Sequence, residues 1–278
     1  MRVRQMCGVV VVLLTGASAA DVLVVPDQYT TIQSAIEAAV TGDIVQVQSG
    51  IYNETIDFLG KAITVVSSAG SGTTTIDGGG STTNAVTFDT GEGASSVLDG
   101  FTVKNDNHRG LKLYNASPTL TDIKVQGTGN SSIEGAGGYI YGGSPSISDC
   151  EFKGNTAASG GGLYLDGSVT LTITDTNFED NYGYTGGGIQ LASGTLSLEG
   201  CVFEENWSTG DGSGLYVASS QSVTVTNTDF EGNWGYYTAG AAIYAASSAT
   251  LVVDGGSFIE NGAAYYYAYG QDGGAIFL

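Results

Sequence analysis

One four-residue pattern, Phe-x-x-Asn, returns five times in the second half of the chain. It stands at 152–155, 178–181, 203–206, 230–233 and 258–261 as FKGN, FEDN, FEEN, FEGN and FIEN. The phenylalanines are 26, 25, 27 and 28 residues apart. Each copy leads into a phrase of small and apolar residues: GGGLYL, GGGIQL, GSGLYV, AGAAIYA and GGAIFL. Such a period marks stacked units, each unable to bury its apolar face alone. Looser copies lie upstream. SPSISDCEFKGN aligns with SPTLTDIKVQGT, which puts Val125 on the Phe152 column, and VLDGFTVKND puts Val103 one step earlier.

Within one period, LTITDTNF, GIQL and LSLEGCVF each alternate apolar and polar residues, and Gly, Ser, Asn or Asp separate them. Three short strands per turn with no helix between them predict an all-β solenoid, a parallel β-helix, and exclude a leucine-rich horseshoe or a propeller. At about 4.8 Å per rung, ten or so rungs make a rod of roughly 45 Å. Composition agrees. Forty-four glycines against three prolines exclude collagen, and 41 % hydrophobic content with 10 % aromatics argues against disorder.

Alternation assigns directions. Phe152, Phe178, Phe203, Phe230 and Phe258 point inward, as do Leu163, Ile189, Leu215 and Ile243. The Asn three residues after each Phe forms a corner ladder, because Asn tolerates left-handed backbone and bonds its neighbours' main chain. The glycines serve the next corner, where φ is positive or the backbone comes too close for a Cβ. No Lys-Ser/Thr follows them and no helix begins there, so they are not a phosphate-binding loop.

The ends differ from the middle. Residues 1–20 combine the basic start MRVR, the apolar run CGVVVVLL and the small-residue end ASAA, the pattern of a secretory signal peptide cleaved near Ala19 or Ala20. No later apolar stretch approaches the ~20 residues of a membrane-spanning helix, so a secreted or cell-surface chain with no membrane insertion is expected. In residues 21–43, Ile32, Ala35, Ile36, Ala39 and Val40 fall at helical spacing, and Thr30 with Gln33 makes a capping box. An amphipathic helix there would plug the open end of a β-helix spanning 44–278. At the other end the repeat stops in mid-strand at GGAIFL, which predicts a C-terminal continuation or a partner chain.

Charge narrows the partners. Losing Arg2 and Arg4 with the signal takes the formal charge from −20 to −22 and leaves Lys61, Lys104, Arg109, Lys112, Lys124 and Lys153 as the basic residues. Such a surface repels nucleic acid and anionic lipid. It also repels polyuronate or sulfated glycans unless divalent cations bridge the two.

Two resemblances follow from quoted stretches. The segment YTTIQSAIEAAVTGDIVQVQSGIYNETI, with KAITVVS and TTIDGGG after it, resembles the opening of secreted right-handed β-helix proteins of the pectate-lyase-like superfamily. The paired Phe-x-x-Asn and Gly-Gly-Ala/Leu/Ile phrases resemble polymorphic outer-membrane protein repeats of bacterial surface adhesins. Together these resemblances imply a right-handed coil and span nearly all of the mature chain. They leave activity open, because β-helices host lyases, hydrolases, esterases and non-catalytic adhesins. GIYNET matches the Gly-x-Tyr-x-Glu opening of pectin methylesterases, but their catalytic Gln, paired Asp and Arg segments have no counterpart. The polygalacturonase motifs are likewise absent.

Three groups of residues are candidates for function. Asp106, His108, Arg109 and Lys112 gather in NDNHRGLKL, which holds the only His and the only Arg of the mature chain. A lyase would use such a base beside a uronate. In the repeat alignment, however, HRGLKLY fills the slot of GGGLYLD, which turns Lys112 outward and leaves His108 and Arg109 on a solvated corner. Glu179, Glu204 and Glu231 stack outward on successive rungs. They read as an acidic stripe, as a site for Ca²⁺ (the one cofactor in view), or as a carboxylate pair of a retaining glycosidase. Tyr182, Trp207 and Trp234 follow the ladder Asn directly. With Tyr184, Tyr236, Tyr237, Tyr265 and Tyr267 they would line one edge of the rod for a glycan or a surface protein. The expected function is recognition or adhesion, and the alternative is a polysaccharide lyase or glycosidase.

Cys150 and Cys201 each stand two residues before their Phe, hence inward and two rungs apart. At about 9.6 Å they exceed the ~7 Å that a disulfide tolerates between Cα atoms, so two buried free thiols are expected. The sequons at Asn53, Asn115, Asn130 and Asn206 are what chance provides in a Ser/Thr-rich chain.

Overall fold

The computed structural model describes residues 19–236, 239–263 and 274–278. Short parallel strands coil into a solenoid whose rungs are joined by three sheets. Among the described residues sheet A has 17 strands, sheet B nine and sheet C four. Sheet A is large because its rungs have two legs, separated from Val97 onward by a bend of one to three residues. The strand Val97–Lys104 spans both legs, pairing with Thr64–Ser67 through its first half and with Thr74–Asp77 through its second.

That bend needs left-handed backbone at one position per rung. Gly100, Asp122, Asp149, Asp175, Gly200, Asn227 and Gly255 all have φ between 45° and 81°. Gly, Asp and Asn are the residues that enter this region at low cost. The registers then run as the repeat dictates. Val103, Val125, Phe152, Phe178, Phe203, Phe230 and Phe258 form one column, and Leu163, Ile189, Leu215 and Ile243 form another on sheet B.

Stacking holds the interior. Successive Phe rings from 152 to 258 lie 5.2, 4.7, 4.6 and 5.1 Å apart and within 12° of parallel. Each such contact adds about 0.5–1.5 kcal/mol beyond burial. The Asn ladder closes the corner after them. Asn155, Asn181, Asn206 and Asn233 are fully buried, and each side-chain amide donates to the next ladder oxygen at 2.8–3.0 Å. The next corner requires glycine. At Gly186 φ is +60° and a Cβ would sit 2.4 Å from the Ile189 carbonyl, while at Gly188 it would meet the Gly214 carbonyl at 2.6 Å.

The N-terminal helix α1 spans Ile32–Ala38 and buries Ile32, Ala35 and Ile36 against the first rungs. Two expectations are corrected here. The capping box is Thr31 with Ser34, not Thr30 with Gln33, and Val40 lies beyond the helix, 59 % exposed. The start is set from outside the helix, since Glu54 accepts from the backbone N–H of both Ile32 and Gln33. The strand Val22–Val25 precedes the helix and already pairs with Ile44–Val47, so sheet A begins within residues 21–43. Cys150 and Cys201 are buried free thiols, as expected. Thr176 lies between them in the column, and burial pushes the thiols up to about 12 and about 11. Among the described residues no helix is long and apolar enough to cross a membrane.

Candidate functional site

The rungs at Phe178, Phe203 and Phe230 turn their corner with the same four steps. After the inward Phe comes an outward carboxylate, then a residue in left-handed backbone, then the buried ladder Asn, then an aromatic. Glu179, Glu204 and Glu231 fill the first place in direct register. Asp180, Glu205, Gly232 and Glu260 fill the second, with φ of 52–60°. Tyr182, Trp207 and Trp234 pair on sheet C. The non-glycine residues at the bend are acidic, so each places its carboxylate beside the first row.

These rows border a groove of about 330 Å³, lined by Asp180, Glu204, Glu205, Glu231, Glu260 and the indoles of Trp207 and Trp234. Lys153 reaches only Glu179, its neighbour in the column. The Glu204 carboxyl is held above its ordinary range by burial first, and then by repulsion from Glu179, Glu231 and Glu205. Among the described residues no three of His, Cys, Asp and Glu group closely enough to hold a metal ion. Glu179, Glu204 and Glu231, the cation candidates, form a row one rung apart.

The rings along this edge are tilted. Tyr182 and Trp207 lie 6.1 Å apart at 47°, and Trp207 and Tyr236 lie 5.0 Å apart at 49°. Trp234 is 42 % exposed and Tyr184 62 % exposed. Tyr237, Tyr265 and Tyr267, assigned to the same edge from sequence, lie outside the described residues.

The basic quartet is adjacent in sequence but does not converge. The His108 Nδ1 lies 3.1 Å from the Asn84 Oδ1, and burial, with Arg109 beside it, pushes the imidazole below its usual range. Arg109 donates from Nε to the Glu134 carbonyl at 2.8 Å and stacks its guanidinium 4.8 Å over the Tyr139 ring. Lys112 pairs with Asp89 at 2.9 Å, and Asp106 is exposed. Lys112 instead joins residues from earlier rungs in a groove of about 430 Å³ with Gln33, Asp57, Asn84 and Asp89. Burial raises the Asp57 carboxyl, the Leu59 N–H lowers it in part, and Asp89 raises it further. Asp57 and Asp89 carry no sequence signal, because they meet Lys112 only through the coil.

A second aromatic column also went unread in the sequence. Tyr139, Tyr164, Gln190, Tyr216, Tyr244 and Phe277 follow one another on the outer face of sheet B. Their rings stack at 5.7 Å for 139–164, 5.1 Å for 216–244 and 5.3 Å for 244–277, all within 12° of parallel. The signal was the residue after each inward Leu or Ile in GGLYL, GIQL, GLYV and AIYA. Stacking covers these ring faces and presents mainly hydroxyls and edges.

Compared with known proteins, residues 84–258 match a family described as a right handed beta helix region. No curated protein matches the chain. Among solved structures, the chain is similar to a pectin methylesterase from Aspergillus niger in penultimately deglycosylated form. The two are 15 % identical over 95 % of this chain and 90 % of that one, with a TM-score of 0.45. The deglycosylated form of the same enzyme gives 0.39 at the same identity and coverage.

Proposed function

The chain belongs to the right-handed β-helix family, and on that premise we propose that it is an exported recognition protein. It binds an extended glycan or protein ligand along the edge formed by sheet C and does not cleave it. One observation carries this reading: aromatic side chains at Tyr182, Trp207 and Trp234 stand in strict register on consecutive rungs, beside an open groove. A rigid row of partly exposed aromatics supplies contact area at little conformational cost, as recognition surfaces do.

The test is a panel of neutral, amine-bearing and uronate glycans and of peptides, scored for both binding and cleavage products. Ligand capture that is lost in Trp207→Ala and Trp234→Ala, with unchanged circular dichroism and no product, is the expected outcome. Product release independent of both tryptophans would sink it.

A second reading, polysaccharide cleavage, rests on the groove at Asp57, Asp89 and Lys112. It pairs a carboxyl raised by burial with a carboxylate ion-paired to a lysine, the division of environments that acid–base chemistry uses. Its mark would be product formation abolished by Asp57→Asn.

A further inference from the structure

The charge along the aromatic edge is one-sided. From residue 154 to the end the chain carries thirteen Asp and Glu and no Lys, Arg or His. The ion pairs among the described residues are Lys112–Asp89, Lys124–Glu151 and Lys153–Glu179, so none of the five carboxylates of the Trp207–Trp234 groove is neutralised by a base. The groove therefore combines one exposed and one half-buried indole with a large excess of negative charge, and apart from the indole N–H groups its side chains only accept hydrogen bonds.

That combination favours a cation over a neutral sugar. A pyranose ring presents donors and acceptors together and lies flat on a ring face. Here Trp207 is tilted by 47° to Tyr182 and by 49° to Tyr236, so these rings share no flat platform, and the carboxylates offer no donors. A guanidinium suits both features. It is planar and positively charged, it only donates, it forks onto carboxylates, and it stacks on indole.

We infer that the groove between Trp207 and Trp234 is a docking site for an arginine-rich segment of a protein partner. Guanidinium groups would sit against the indoles and bridge Glu204, Glu205 and Glu231. This inference rests on the recognition reading above and names its ligand class. Carboxylates recur along the groove about every 4.8 Å, so a segment lying across the rungs passes several of them. The repulsion already stored among Glu179, Glu204, Glu231 and Glu205 would be relieved on binding.

The experiment titrates the full chain with octa-arginine, octa-lysine, a glucosamine oligomer and a neutral cello-oligosaccharide by calorimetry, at low and physiological salt. Octa-arginine should bind most tightly. Trp234→Ala, which changes no charge, should weaken it about tenfold. Glu231→Gln should weaken it more than Asp166→Asn, an equal charge change on sheet B. Trp234→Phe, which keeps a ring, takes the place of the alanine variant if that one does not fold.

Equal losses for Glu231→Gln and Asp166→Asn, or no dependence on Trp234, would reduce the interaction to diffuse attraction and overturn the inference. Tryptophan-dependent capture of the neutral or amine-bearing sugar in preference to octa-arginine would overturn the arginine assignment while leaving the recognition reading standing. If no ligand depends on Trp207 or Trp234, both fall.

Discussion

At the scale of single residues, the ladder asparagines are the least replaceable groups in the molecule. Asn206 is fully buried. Its amide donates to the Phe178 carbonyl at 2.8 Å and to the Asn233 Oδ1 at 2.9 Å, while its own oxygen accepts from the Asn181 main chain and side chain. Asn206→Leu keeps the branching and heavy-atom count of the side chain but strands several buried polar groups, each costing about 1–3 kcal/mol. Urea unfolding should show a loss of about 3 kcal/mol or more, and a change under 1 kcal/mol would contradict the ladder's role. The same geometry occupies the amide of the Asn206-Trp-Ser sequon, so in the folded chain it is not a free glycan acceptor. The ladder was legible beforehand, because five copies of Phe-x-x-Asn at one period leave a single column for each residue, but the left-handed backbone expected at the Asn falls on the residue before it. The buried oxygen of Asn105, which finds no partner among the described residues, was not legible: the rung before it carries Gly78 at that place, where a Cβ would sit 3.0 Å from the Asn105 side chain.

At the scale of elements, the capping helix shows how a short segment is held from outside. Seven residues are too few for a helix to be stable alone in water. Glu54 accepts from the first two backbone N–H groups of α1, and Lys61 Nζ donates to the carbonyls of Ile36, Glu37 and Ala39 at 2.7–2.8 Å. A carboxylate at the N-terminus and an ammonium at the C-terminus both oppose the helix dipole. Lys61→Met should therefore cost about 2 kcal/mol, read as an earlier melting of the helix signal, with the distant Phe column unaffected. Helix and buried stripe were readable from spacing at Ile32, Ala35 and Ile36. The cap position was not, because Glu54 lies more than twenty residues downstream. The GIYNET motif that matched an esterase opening thus has a structural use here: it delivers Glu54 to α1.

At the scale of the whole molecule, an excess of carboxylates on a narrow rod makes stability depend on pH and salt. Glu204 has a folded pKa raised above its ordinary value of 4.5. The folded chain therefore holds this proton more tightly than the unfolded chain. The associated stability is present below the ordinary glutamate range and is lost as pH rises through the folded value. Glu204→Gln should raise the melting temperature at pH 7 and at low salt, and the gain should vanish near pH 3.5 and shrink in high salt, which screens the repulsion but not the burial. An unchanged melting temperature at pH 7 would mean that the row is fully solvated. At the last rungs Val253 and Ile276, which continue the inward columns of Val225 and Ile243, stand 37 and 38 % exposed, since no further described rung covers them.

Period and alternation alone determined the coil, the column of each repeated residue, which side chains face inward, and the two thiols kept apart by one rung. They could do so because a solenoid converts distance along the chain into height at a constant rate, so local pattern is also tertiary position. Only the tertiary structure decided what crosses that regularity: Glu54 and Lys61 on the helix, Asp57 and Asp89 beside Lys112, and Arg109 on Tyr139. Those contacts join residues that differ from rung to rung, and no repeat encodes them. The groove at Trp207 and Trp234 stands between the two cases. Its residues were in the repeat, but the bend had to be built before their carboxylates and indoles shared one space.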